Sequence, residues 1–106
     1  MATLKITCDR DSGKRGGTYQ LNSAQLSQAG NTVFLTLDTD KGSIKYRLCV
    51  DANAPSSIVI TQYLKQEINT VMSGNGTLYV RENPVRDYLH IGHTRSNQRK
   101  FEGQRQ

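Results

Sequence analysis

Residues able to do chemistry are sparse in this sequence, and their densest group alternates along a single stretch. Thr32, Phe34 and Thr36, then Ser43, Lys45, Arg47 and Cys49, fall at every second position on either side of Thr-Asp-Lys-Gly. Side chains two apart on an extended strand share a face, so two cations, several hydroxyls and one aromatic ring come together. That set suits single-stranded nucleic acid: a base stacks on the ring, cations hold phosphates, and hydroxyls reach base edges. Lys5 and Thr7 alternate in the same sense near the N-terminus, and join this face if their strand is a neighbour. The candidate nucleic-acid-binding residues are therefore Lys5, Thr7, Phe34, Thr36, Lys45 and Arg47. The same face also reads as a solvated one, with Thr serving strand propensity, Lys and Arg serving solubility, and Phe34 covered by a loop or a second subunit.

Other chemistries find less support. Gly13-Lys14 followed by Gly16-Gly17-Thr18 has the composition of a phosphate cradle, but lacks the Walker spacing and leads into strand-like residues instead of a helix. A wide hairpin turn with exposed cations fits it better. His90-Ile91-Gly92-His93 spells the signature of class I aminoacyl-tRNA synthetases, yet it sits near the C-terminus of a chain too short for the fold that gives those letters meaning. Two His at a spacing of three would need a further metal ligand, and neither sequence neighbour supplies one; the simple reading is a strand with two surface imidazoles. Cys8 and Cys49 have no partner at ligand spacing. No Gly-x-Ser-x-Gly elbow is present, and Asp9, Asp11, Asp38, Asp40 and Asp51 fall at turns or strand ends. The expectation is a protein that is not an enzyme, with no metal, cofactor or small-molecule substrate.

The elements that must position the candidate residues follow from periodicity. Residues 31–50 form a hairpin whose other face, Val33, Leu35 and Leu37 with Ile44, Tyr46, Leu48 and Val50, is buried. Leu4, Ile6 and Cys8 alternate inward on a first strand, and Tyr19 and Leu21 on a second over residues 18–22. Residues 23–30 are small and polar and read as a loop, with at most one helical turn. After Pro55, the positions Ile60, Tyr63, Leu64, Ile68, Val71 and Met72 make the stripe of an amphipathic helix over about residues 57–73, closed by Gly74 in a left-handed cap. The β-branched Ile58-Val59-Ile60 weakens the start of that helix. Residues 77–82 read as a strand with Leu78 and Val80 inward, and residues 87–93 as a last strand or docked arm. Residues 95–106, with Arg95, Arg99, Lys100 and Arg105, form a basic tail that is disordered or ordered against a partner. The domain organisation is thus one α+β domain over residues 1–94 and a tail over 95–106. Its fold is a single antiparallel sheet of about five or six strands with one amphipathic helix packed on one face.

The totals agree with a small single domain. In 106 residues, 14 Lys and Arg oppose nine Asp and Glu for a formal charge of +5, which favours a polyanionic partner. No stretch approaches the length of a membrane span, and no apolar leader follows the first basic residue, so a soluble protein made in the cytoplasm is expected.

This arrangement resembles the coat proteins of single-stranded RNA bacteriophages: a Thr/Lys-rich sheet face, then Ser-Ile-Lys-Tyr-Arg-Leu-Cys-Val-Asp-Ala-Asn-Ala-Pro-Ser-Ser leading into the helix, about a third of the chain over residues 43–74. The resemblance implies an intertwined homodimer, with the helix of each subunit on its partner's sheet. It further implies assembly into an icosahedral capsid and single-stranded or hairpin RNA held against Lys5, Thr7, Thr36, Lys45 and Arg47 in the virion. The alternative is a small cytoplasmic module that binds single-stranded nucleic acid without building a shell.

Overall fold

The computed structural model describes residues 1–9, 16–50 and 56–106; the turn expected around Lys14 and the helix-starting Pro55 lie outside them. Among the described residues, seven strands and one helix follow in the order β1 (Thr3–Cys8), β2 (Gly17–Ala29), β3 (Thr32–Thr39), β4 (Gly42–Cys49), α1 (Ser57–Ser73), β5 (Thr77–Asn83), β6 (Tyr88–Gly92) and β7 (Arg99–Arg105). The class is α+β with a single helix, as expected. The sheet is larger than expected and is not an open slab: it closes into a barrel in the order β1-β2-β3-β4-β7-β6-β5. Neighbours are antiparallel except β1 and β5, which run parallel in the register Thr3↔Thr77 to Cys8↔Glu82. That pairing arises because α1 returns the chain to the end of the barrel at which β1 also begins. No helix among the described residues is long and apolar enough to cross a membrane.

Alternation in the central hairpin holds. Val33, Leu35, Leu37, Tyr46 and Leu48 are fully buried, while Lys45 is exposed and Thr32, Phe34, Thr36 and Arg47 are half-buried on the outside. The turn is tight, with Thr39 opposite Gly42 and the Thr39 hydroxyl donating to the Gly42 carbonyl at 2.7 Å.

Residues 23–29 are strand, not loop. A register shift between Leu21 and Ser23 changes the phase of the side chains, so that inward positions are Tyr19 and Leu21 before it and Ala24 and Leu26 after it. One extra residue in a strand moves all that follow to the other face. This breaks the period of two on which strand recognition depends.

The helix begins at Ser57 despite its β-branched start, because Ser56 caps it by accepting the Val59 N–H. Ile60, Leu64, Ile68 and Val71 join the barrel core. The stripe lies across one end of the closed barrel, where a slab would have offered a broad face: Tyr63 donates its hydroxyl to the Ile91 carbonyl at 2.9 Å, and Gln28 bonds Ser57. The left-handed residue at the C-terminus is Asn75 (φ 51°), whereas Gly74 has φ −98°. The Gly76 N–H then bonds the Val71 carbonyl at 2.8 Å, the long closing bond of a Schellman turn.

The largest correction concerns residues 95–106. They are no tail: β7 fills the gap between β4 and β6, pairing Leu48↔Gly103 on one side and Leu89↔Phe101 on the other. Its inward positions are Phe101, Gly103 and Arg105, only one of which is a large apolar residue, so its sequence carries no strand-like alternation. At Gly103 (φ 151°) a Cβ would overlap the Arg47 carbonyl; only glycine admits so close an approach. Arg105 reaches Glu82, which is 2% exposed and accepts from Arg105 Nε at 2.7 Å and from the Tyr46 hydroxyl at 2.6 Å. Burial, reinforced by the Glu82 charge, holds the Tyr46 phenol well above its usual pKa, so it stays a donor.

Two outcomes follow for stability. Arg105→Ala removes a guanidinium that donates to the buried Glu82 carboxylate and is expected to cost roughly 3 to 5 kcal/mol, read as a lower urea midpoint. Ending the chain after Gln98 is expected to abolish cooperative unfolding, because β4 and β6 both lose a neighbour; a true tail would be removed at no cost.

Candidate nucleic-acid interface

The six candidate residues divide into two groups. On β3 and β4, Phe34 lies opposite Arg47 and Thr36 opposite Lys45. The Lys45 ammonium stands 4.7 Å from the centre of the Phe34 ring, within cation–π range. Phe34, Thr36, Lys45 and Arg47 therefore form one patch. Lys5 and Thr7 do not join it, since β2 stands between β1 and β3. The other neighbour of β1 is β5, and the outward partners there are Tyr79 for Lys5 and Arg81 for Thr7. A parallel pairing between residues more than seventy positions apart leaves no local sequence signal.

The β1 side carries the richer array. Adjacent strands β5, β6 and β7 place Arg81, His90 and Lys100 in one row, which Thr7 extends onto β1. Two tyrosines are interleaved with the cations: the Lys100 ammonium lies 4.4 Å from the Tyr88 ring centre, and the Arg95 guanidinium 5.7 Å from that of Tyr79. Tyr88 meets the edge of His90, with ring centres 5.2 Å apart. Two adjoining hollows mark the surface. One is lined by Lys5, Thr7, Tyr79, Arg81, Arg95 and Gln98, the other by Arg81, His90, Arg95, Ser96 and Gln98.

Electrostatics agree with geometry. The His90 imidazole is held below its usual pKa, first by burial and then by the Arg81 and Lys100 charges, with Asp9 opposing. Asp9 is bound to Arg81 Nε at 3.0 Å and to Asn83 Nδ2 at 3.3 Å, so one of the cations is partly neutralised. Lys5, Arg95 and Lys100 remain to meet an anion. Aromatic rings beside cations on a sheet face can stack bases while holding phosphates.

His93 stands apart from this array. Its imidazole is at the surface, as expected, but one residue beyond the strand, because β6 ends at Gly92 and the ring turns towards α1. Its Nδ1 lies 2.9 Å from Glu67 Oε2 and its backbone N–H donates to Oε1 at 3.2 Å. Glu67 is buried on the helix, within a stripe read from the sequence as purely apolar. Among the described residues no group of three or more His, Cys, Asp or Glu is placed to hold a metal.

Arg95 and Lys100 fall in the segment expected to be a tail, and Tyr88 in a segment expected to be a strand or docked arm with no partner assigned. The available signal was Tyr79-x-Arg81 in one strand and Tyr88-x-His90 in the next, an aromatic and a basic residue alternating outward twice.

Because the folded protein disfavours His90 protonation, the ring protons should titrate below the usual 6.5 in NMR. Lys100→Gln should move that titration upward, and so should a bound polyanion. By linkage, the stability contributed by the neutral ring is present above pH 6.5 and is lost as pH falls towards the lower folded value. No protein-family model, curated protein or solved structure matches this chain.

Proposed function

We propose that the protein is a small module that binds single-stranded nucleic acid on the outside of its barrel, along β1, β5, β6 and β7. The observation that carries this reading is the row Arg81, His90 and Lys100, with Lys5 and Arg95 beside it and Tyr79 and Tyr88 interleaved. Cations on their own would fit any acidic partner; rings set beside them add a preference for unpaired bases. The patch of Phe34, Thr36, Lys45 and Arg47 repeats the same chemistry across β3 and β4 and offers a second contact for a strand that wraps the barrel. A shell-forming coat protein is the less favoured reading, because the helix stripe that such a dimer lays on its partner is buried here in its own barrel.

Fluorescence anisotropy with a labelled single-stranded oligonucleotide, and with its duplex as control, tests the assignment. The single strand should bind more tightly than the duplex. Arg95→Ala with Lys100→Ala should weaken binding and flatten the slope of log affinity against log salt by roughly 0.7 per lost contact. Tyr79→Ala should cost about 1 to 3 kcal/mol without changing that slope. Wild-type affinity in both variants would remove this face from the site. A loss seen only with Lys45→Ala and Arg47→Ala would move the site to β3 and β4.

A further inference from the structure

β2 runs on well past its pairing with β1. Gly17 to Gln20 pair with β1, ending at Thr3↔Gln20, and from Leu21 to Ala29 the register is with β3 alone. The Leu21 N–H still reaches the Ala2 carbonyl at 2.9 Å. Beyond it, among the described residues, no backbone hydrogen bond joins Asn22–Ala29 to anything except β3. The helix meets this segment through Ser57 and Gln28, but Gln25, Ser27, Gln28 and Ala29 remain exposed. The barrel is closed as a ring of strands and yet leaves one strand edge open along several residues.

Edges left to water are normally guarded by Lys, by Pro or by a bulge that turns them away. This one is not: Leu21-Asn-Ser-Ala-Gln-Leu-Ser-Gln-Ala29 contains neither a charge nor a proline, in a chain that is 22% charged. The bulge between Leu21 and Ser23 falls at the very start of the overhang and leaves Ser23 to Ala29 in one uninterrupted register.

We propose that a second copy of this chain covers the edge, the two β2 overhangs pairing antiparallel about a two-fold axis near Leu26. Three features favour a copy over a foreign peptide. Each molecule carries a formal charge of +5, and an uncharged strand is where two such molecules can meet without setting like charges opposite each other. Antiparallel pairing of one edge with itself uses the same donors and acceptors on both sides and stops at two. It also sets the half-buried Leu26 of each copy opposite its mate, with Gln25 of one copy facing Ser27 of the other on the outside.

Sedimentation equilibrium on the wild type should give a mass near twice 11.9 kDa. Gln25→Lys with Ser27→Lys places like charges across the axis and should raise the dimer dissociation constant about tenfold. The same two charges placed on the exposed helix positions, Gln62→Lys with Asn69→Lys, should not. Hydrogen exchange supplies a measurement that needs no variant: amides of residues 22–29 that point away from β3 should gain protection as the protein is concentrated. A wild type that stays monomeric, a dimer that withstands the β2 lysines, an assembly that grows past two, or amides indifferent to concentration would each overturn the proposal.

Discussion

Closure of the barrel by β7 is the constraint on which the other features rest. Without that strand, β4 and β6 would each expose a row of backbone donors and acceptors, and the interior would open beside Tyr46 and Leu48. β7 achieves closure with little apolar side chain of its own. Phe101 fills one inward position, the backbone at Gly103 packs against that of β4 at another, and Arg105 enters the third to meet Glu82. A buried carboxylate is unfavourable unless it is compensated, and here a guanidinium and a phenol both donate to it. The pair thus fixes the last strand in register as much as it adds to stability.

Closure decides where the polar residues go. In an open slab, every outward side chain would share one wet face, and Lys5 would stand with Lys45. Rolled into a ring, the same alternation spreads them around a circumference. Lys5 then stands beside Tyr79 and Thr7 beside Arg81, while Phe34 meets Lys45 and Arg47. The outward residues are then grouped as rows across three or four adjacent strands, and the content of each row depends on which distant strands are neighbours.

That dependence marks how far the sequence could be read. The hairpin over residues 31–50 and the helix over 57–73 were legible, because each has an uninterrupted period and its own turn or cap. The end of β2 was not, since the phase change after Leu21 hides a strand inside what looks like a small polar loop. β7 was not, since glycine and arginine occupy positions where an apolar residue would have announced an inward face. Of the site, the patch on β3 and β4 was legible in full from one hairpin. The array on β1, β5, β6 and β7 needed a parallel pairing and a strand that resembled a tail, so only Lys5 and Thr7 of its residues were identified.

The helix links interior and exterior through Glu67. Its carboxylate takes the backbone N–H and Nδ1 of His93, which fixes the chain where it leaves β6. Tyr63, placed to donate to the Glu67 carboxylate or to the Ile91 carbonyl, is pushed up to about 12 by burial and by Glu67, and so remains a donor. From this anchor the connection to β7 is internally tied: the Asn97 N–H bonds the Thr94 hydroxyl at 3.0 Å, and Gln98 Nε2 bonds the Arg95 carbonyl at 3.0 Å. A side chain at Gly92 would overlap the Asn97 carbonyl, so the connection lies directly on the end of β6. The same connection carries Arg95 over Tyr79, its guanidinium 5.7 Å from the ring centre. A carboxylate that looks misplaced on the apolar stripe of a helix thus binds the start of the segment that carries Arg95 from β6 to β7.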